Sequence, residues 1–111
     1  MKIEHQQIGS VEVITIRGAL VEEDATRFSE EVRKSATGQN PRLVLDMREV
    51  PYLDSEALEG LTDACDLLDD RCSKLRLATV SQTVREVLQL IGLSGRFQFF
   101  EKVDDAVRSF L

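Results

Sequence analysis

Apolar positions recur along this chain at two spacings, and the alternation between them predicts its elements. Residues 3–8 read as a short strand, and Gly9-Ser10 as a tight turn. Residues 11–17, Val-Glu-Val-Ile-Thr-Ile-Arg, are largely β-branched and read as a second strand. Two residues between two strands predict an antiparallel hairpin. The spacing then lengthens. Ala25, Phe28, Val32 and Ala36 place one apolar stripe on a helix over residues 22–36, which Gly38 stops and Pro41 forbids from continuing. Residues 43–47, Leu-Val-Leu-Asp-Met, form a short apolar run that suits a central buried strand.

A loop over residues 48–53 contains Pro51. Asp54 or Ser55 then caps a long helix that the pattern carries to Cys72, with Ala57, Leu58, Leu61, Ala64, Cys65, Leu68 and Cys72 on its buried stripe. Residues 74–79 are a strand. Ser81 opens a third helix with Val84, Val87, Leu88 and Ile91 on one face, and Gly92 followed by Leu93 ends it. Residues 97–100 are a last strand, and Asp104 caps a final helix that buries Val107 and Leu111. The order β-β-α-β-α-β-α-β-α predicts an α/β fold. Its sheet is mixed and mostly parallel, with an N-terminal antiparallel hairpin and about four helices packed on it through right-handed crossovers.

Size and charge narrow the function. The chain has 111 residues and a formal net charge of −6, with 42 % apolar and 31 % charged residues. These values describe one compact domain spanning residues 1–111. A negative domain is a poor general binder of nucleic acid or of anionic membrane surfaces. No run is long enough to span a membrane, and the N-terminus lacks the apolar region of a signal peptide, so the expected location is the cytoplasm. Cys65 and Cys72, read on one helix, would lie about 10 Å apart, beyond the reach of a disulfide. They read as two reduced core thiols. With His5 as the sole histidine, no zinc spacing and no imidazole-based catalytic scheme emerges. No glycine-rich phosphate loop is present. The chain reads as a non-enzyme without a cofactor.

The informative stretch is residues 44–58, which run from buried strand through a loop into a helix start. Ser55 falls at or one residue past the cap. Its backbone N–H groups there are unpaired and carry the positive end of the helix dipole, which favours a phosphate on the hydroxyl. A plain cap made by Asp54-Ser55 is the alternative. Seven acidic residues lie between positions 54 and 70 with no basic residue among them, and Asp54, Glu56 and Glu59 sit within one turn of Ser55. Added phosphate charge in that setting suits release of a partner rather than recruitment. The acidic face predicts a basic complementary surface on the partner. Tyr52 either packs the loop beneath the helix or lies in the partner footprint. One of Phe97, Phe99 and Phe100 is a candidate for a contact patch, whereas Arg85 and Arg96 read as surface charges.

These residues resemble the STAS-domain proteins of the anti-sigma-factor antagonist type. Residues 44–61 are similar to the family pattern of a buried strand ending in Asp, a short loop, and Asp-Ser opening a helix. Gly18-Ala19-Leu20 resembles the family's turn after the second strand, and Leu90-Ile91-Gly92-Leu93, Phe97 and Asp105-Ala106-Val107 its tail. The resemblance implies a switch. The unphosphorylated protein binds an anti-sigma factor that is also a serine kinase, and so frees a sigma factor. Phosphorylation of the Ser ends the contact, and a metal-dependent phosphatase of the PP2C type resets it. Ser55 matches the phosphoacceptor, Asp54 the acidic cap and Asp46 the acid closing the central strand. Together with Tyr52, Glu56 and Glu59 they form the expected partner-binding set.

Two positions depart from the pattern: Ala57 stands where the family usually has Gly, and Val21 where it often has Asp. Both departures favour a second reading, a stand-alone accessory subunit of a membrane transporter with no phosphorylation switch. A phosphotransfer enzyme component is a third, poorly supplied with His or Cys acceptors. An unpaired edge strand leaves dimerisation open.

Overall fold

The computed structural model describes residues 1–111. Five strands form one sheet in the order β1-β2-β3-β4-β5. β1 (Lys2–Ile8) and β2 (Val11–Arg17) make the antiparallel hairpin, with Ile8 opposite Val11. Gly9 turns it at φ +60°, the left-handed region a two-residue hairpin needs at its first central position. β3 (Leu43–Glu49), β4 (Leu75–Ala78) and β5 (Phe97–Phe100) add in parallel. Each parallel step passes through a helix: α1 (Glu22–Ala36), α2 (Ser55–Asp69) and α3 (Gln82–Leu90). Strands added in one direction through right-handed crossovers put these three helices on one face.

Alternation along the strands divides two cores. Ile14, Ile16, Leu43, Leu45, Met47, Leu75 and Leu77 face α1, α2 and α3 in the larger one. Val11, Val13, Val44 and Ala78 face the other way and are covered by α4 (Val103–Arg108) through Ala106 and Val107, and by Phe110 just after it. That helix is six residues long, so it covers only part of its face.

α1 and α2 lie side by side. Gly60 makes their close approach possible: a Cβ there would fall 2.0 Å from Ser29 Oγ and 2.9 Å from Ser29 Cα. Ser29 is fully buried and donates to the Glu56 carbonyl at 3.2 Å. Asp63 of α2 meets Arg33 of α1 at 2.9 Å.

Several expected details are corrected. α2 ends at Asp69, not at Cys72. Cys72 is exposed with φ +54°, so only Cys65 is a core thiol. Both are free. Burial pushes the Cys65 thiol up to about 11, which keeps it protonated and inert. Ile91 is exposed rather than on the buried face of α3, and Leu111 is exposed beyond α4. Lys102, not Asp104, precedes the first residue of α4. Tyr52 is 54 % exposed and does not pack the loop. None of the three strand phenylalanines is exposed: Phe97 is buried, Phe99 lies under Arg85, and Phe100 packs with α4.

Candidate functional site

The site forms where two loops leave the carboxyl ends of β2 and β3. Gly18 (φ +116°) releases the chain from β2, and Leu20 then pairs with Leu53 in an isolated parallel bridge. The Leu20 N–H donates to the Tyr52 carbonyl at 3.1 Å, and the Asp54 N–H to the Leu20 carbonyl at 2.9 Å. This stitching sets the N-termini of α1 and α2 next to each other.

Asp54 joins them. One carboxylate oxygen accepts the Ala57 N–H at 3.1 Å and caps α2. The other accepts the Glu22 N–H at 2.8 Å, at the start of α1. Val21 precedes α1 and has no side chain able to cap it, so Asp54 serves both helices. Glu22 holds φ +54°, a conformation uncommon outside glycine, and this aims its N–H at Asp54. The hydrogen bonds from Glu22 and then Ala57 hold the Asp54 carboxyl below its ordinary value.

Capping by Asp54 leaves Ser55 as the first helical residue. Its side chain is exposed and makes no hydrogen bond within the protein. The Ala57 N–H is taken by Asp54 and the Leu58 N–H by the Asp54 carbonyl; the Ser55 N–H has no backbone acceptor, and the Glu56 N–H leans only on the Asp54 carboxylate. Between plain cap and available hydroxyl, the geometry divides the roles: Asp54 caps, and Ser55 is free. Ala57 is fully buried against the larger core, so its methyl faces inward and not toward an incoming molecule.

The acidic run on α2 splits in two. Asp63 pairs with Arg33, while Asp66 and Asp69 share Arg96 at 2.8 and 3.0 Å. Arg96 thus supplies the positive charge that the last turn of α2 lacks. Near Ser55, Glu56 and Glu59 have no ion-pair partner, and Tyr52 is exposed on the loop that leads into α2. Asp46 stands apart. It lies on the sheet face shared with Val44, and its carboxylate accepts the Arg48 N–H at 3.2 Å in a polar recess with Thr15, Arg17 and Glu49. Of the expected partner-binding set, the structure therefore brings together Tyr52, Asp54, Ser55, Glu56 and Glu59, and separates Asp46. Sequence reasoning missed Glu22, whose role depends on a contact 32 residues away.

The STAS domain model matches residues 2–106. The chain belongs to the STAS family. No curated protein matches it. Among solved structures it is similar to an anti-sigma-factor antagonist (STAS) domain protein from Planctomyces limnophilus, at 20 % identity over 96 % of each chain with a TM-score of 0.82. It is similar to the Bacillus cell fate determinant SpoIIAA in its phosphorylated form, at 15 % identity over 99 % of this STAS chain and 100 % of that one, TM-score 0.77. It is also similar to part of the murine anion transporter Solute Carrier 26 family member A9, at 20 % identity over 94 % of this chain and 18 % of the transporter, TM-score 0.76. At these identities the likeness establishes the fold. No helix is long and apolar enough to cross a membrane, and no group of three or more His, Cys, Asp or Glu could hold a metal ion.

Proposed function

We propose that this STAS protein is an anti-sigma-factor antagonist switched by phosphorylation of Ser55. It acts in the cytoplasm as a binding module and not as an enzyme. The observation that carries the reading is the division of labour at the start of α2, where Asp54 caps two helices and leaves the Ser55 hydroxyl exposed and unbonded. An anti-sigma factor with serine kinase activity docks over Tyr52, Asp54, Ser55, Glu56 and Glu59 with a basic surface, and so releases its sigma factor. The kinase transfers the γ-phosphoryl group of ATP to Ser55 Oγ, which loses its proton, and ADP leaves.

The phosphate adds a charge of about −1.5 to −2 beside Asp54 and Glu56. Its first-turn N–H groups stabilise it in the free protein, but closing a partner over it would desolvate a dianion among carboxylates. The complex is therefore lost until a PP2C-type phosphatase removes the group. Asp46, on the far side of the sheet edge, is a peripheral contact in this scheme.

The test is affinity capture from host lysate with wild type, Ser55→Ala and Ser55→Asp in parallel. A kinase held by the first two and at least tenfold depleted on Ser55→Asp, equivalent to about 1.4 kcal/mol or more, is the expected result. Equal capture by all three overturns it.

A second reading rests on the likeness to the anion transporter and on the absence of an acidic residue at Val21. In it the chain is an accessory subunit of a membrane transporter, and Ser55 has no switching role. Capture of the same transporter subunits by wild type and Ser55→Asp supports that reading.

A further inference from the structure

The opposite end of the sheet carries a feature that the Ser55 site does not use. At the entry ends of β3 and β4 lies a groove of about 660 Å³. Arg42, Arg71, Lys74 and Arg76 line it, drawn from the loop before β3, the loop before β4, and β4 itself. The protein as a whole has a net charge of −6, so this is a local excess against the overall sign.

The four cations are also unneutralised. Of the fourteen Lys and Arg side chains, six are ion-paired with carboxylates; of the remaining eight, four line this groove. Their partners are all neutral. Arg42 donates to Ser10 Oγ at 2.8 Å, Arg71 to the Gly38 carbonyl at 2.8 Å, and Lys74 to the Gly95 carbonyl at 3.1 Å. Arg76 donates to Ser109 Oγ at 3.1 Å and to the Lys74 carbonyl at 2.6 Å, with its guanidinium stacked 3.7 Å over the Phe110 ring. Asp69 is the one carboxylate on the groove wall, and it bridges to Arg96.

Arg76 decides what the groove lacks. It is half-buried, and its partners are a hydroxyl, a carbonyl and an aromatic ring, none of them a counter-charge. Burying a charge without a partner is costly, and an anion seated over it relieves that cost. Burial also lowers the pKa of its guanidinium. The volume falls in the range of small-molecule sites. Only two of the twelve lining residues are apolar, so the groove lacks the anchors that a docked peptide would use. Guanidinium forks match phosphate oxygens two at a time, and four positive charges call for more than one phosphate.

We infer that this groove binds a small polyphosphate anion through Arg42, Arg71, Lys74 and Arg76. The site lies at the far end of α2 from Ser55. With 15 residues rising about 1.5 Å each, the separation is about 22 Å. The inference therefore stands or falls independently of the phosphorylation switch.

The probe is tripolyphosphate, titrated into ¹⁵N-labelled full-length protein at low ionic strength and followed by amide chemical shifts. Saturable shifts are expected at residues 41–42, 71–76, 98 and 109–110, and none at residues 54–59. Arg42 and Lys74 are exposed, so Arg42→Gln and Lys74→Gln leave the fold intact. Each should weaken binding about tenfold, the size of one charge-assisted hydrogen bond. Arg48→Gln, at the other end of β3, should leave binding unchanged. Unsaturable shifts, equal shifts from sulfate at matched ionic strength, or wild-type affinity in Arg42→Gln and Lys74→Gln would each overturn the inference. Stronger binding of a poly-glutamate peptide to the same residues overturns it in favour of an acidic polypeptide.

Discussion

The two ends of the parallel strands are built with opposite chemistry. At the carboxyl ends, one carboxylate holds backbone N–H groups: Asp54 accepts from Glu22 and from Ala57. At the amino ends, cations hold backbone carbonyls: Arg71 binds Gly38, where α1 has just finished, and Lys74 binds Gly95. The topology dictates this difference. Helices that cross between parallel strands all run one way, so their positive dipole ends collect at one edge and their negative ends at the other. One edge thus attracts anions and the other cations. At the Ser55 end the demand is only partly met, because the Ser55 N–H has no backbone acceptor. At the groove end the cations exceed what the carbonyls need, and the excess is what a ligand would use.

The comparison can be broken most severely at the contact between α1 and α2, which holds both ends in register. Gly60→Ala drives a methyl into Ser29, and the clash reaches Ser29 Cα, so a rotamer change cannot relieve it. The loss should be about 3 kcal/mol by urea denaturation, even though alanine gains about 1 kcal/mol in helix propensity. Combining it with Ser29→Gly removes the two nearest clashing atoms and should restore part of the stability. A smaller effect follows from Asp54→Ala, which uncaps both helices. With about 1 kcal/mol for each cap, the loss should approach about 2 kcal/mol, and Asp54→Asn should lose less. Because the folded Asp54 carboxyl is held below its ordinary 3.8, its contribution is present above that pH and fades as pH falls through the folded value. An unchanged midpoint in Asp54→Ala would show that α1 needs no cap from its neighbour.

How far the sequence reveals these features depends on whether their cause is local. α1 is legible over its full span, Glu22–Ala36, because its stripe and its stop are carried by its own residues. The ends of α2 and α3 make the contrast plain. Both close the same way: the Ser73 N–H reaches the Leu68 carbonyl at 3.0 Å, and the Leu93 N–H reaches the Leu88 carbonyl at 2.8 Å. In α3 the left-handed residue is Gly92 (φ +78°), which announces the stop. In α2 it is Cys72, which continues the apolar spacing and hides the stop. The candidate site divides along the same line. Ser55 and Asp54 are visible as a local cap, and Glu56 and Glu59 follow from helical spacing. Asp46 lies on the sheet face of Val44, a placement that strand alternation alone dictates. The second bond of Asp54, the close approach at Gly60 and the groove of four cations join residues from separate elements, and no local pattern records them. The family resemblance supplies the position of Ser55 but nothing about the groove.

The weakest expected effect belongs to neither end, which is its use as a control. His5 of β1 lies between Glu12 at 3.0 Å and Glu31 at 3.1 Å, tying the hairpin to α1. Burial alone would lower its pKa, but hydrogen bonds to Glu12 and Glu31 outweigh this and raise it above 6.5. A folded state with the higher pKa binds the proton more tightly than the unfolded chain. The contribution is therefore fully present below pH 6.5 and lost as pH rises through the folded value. The imidazole is exposed enough for solvent to screen the pair, so the effect is small. Wild type should exceed His5→Gln in urea midpoint at pH 5.5, and the gap should close by pH 8, with no change in tripolyphosphate affinity or partner capture at either pH. A gap that widens as pH rises would mean that the neutral ring, not the ion pair, holds the hairpin to α1.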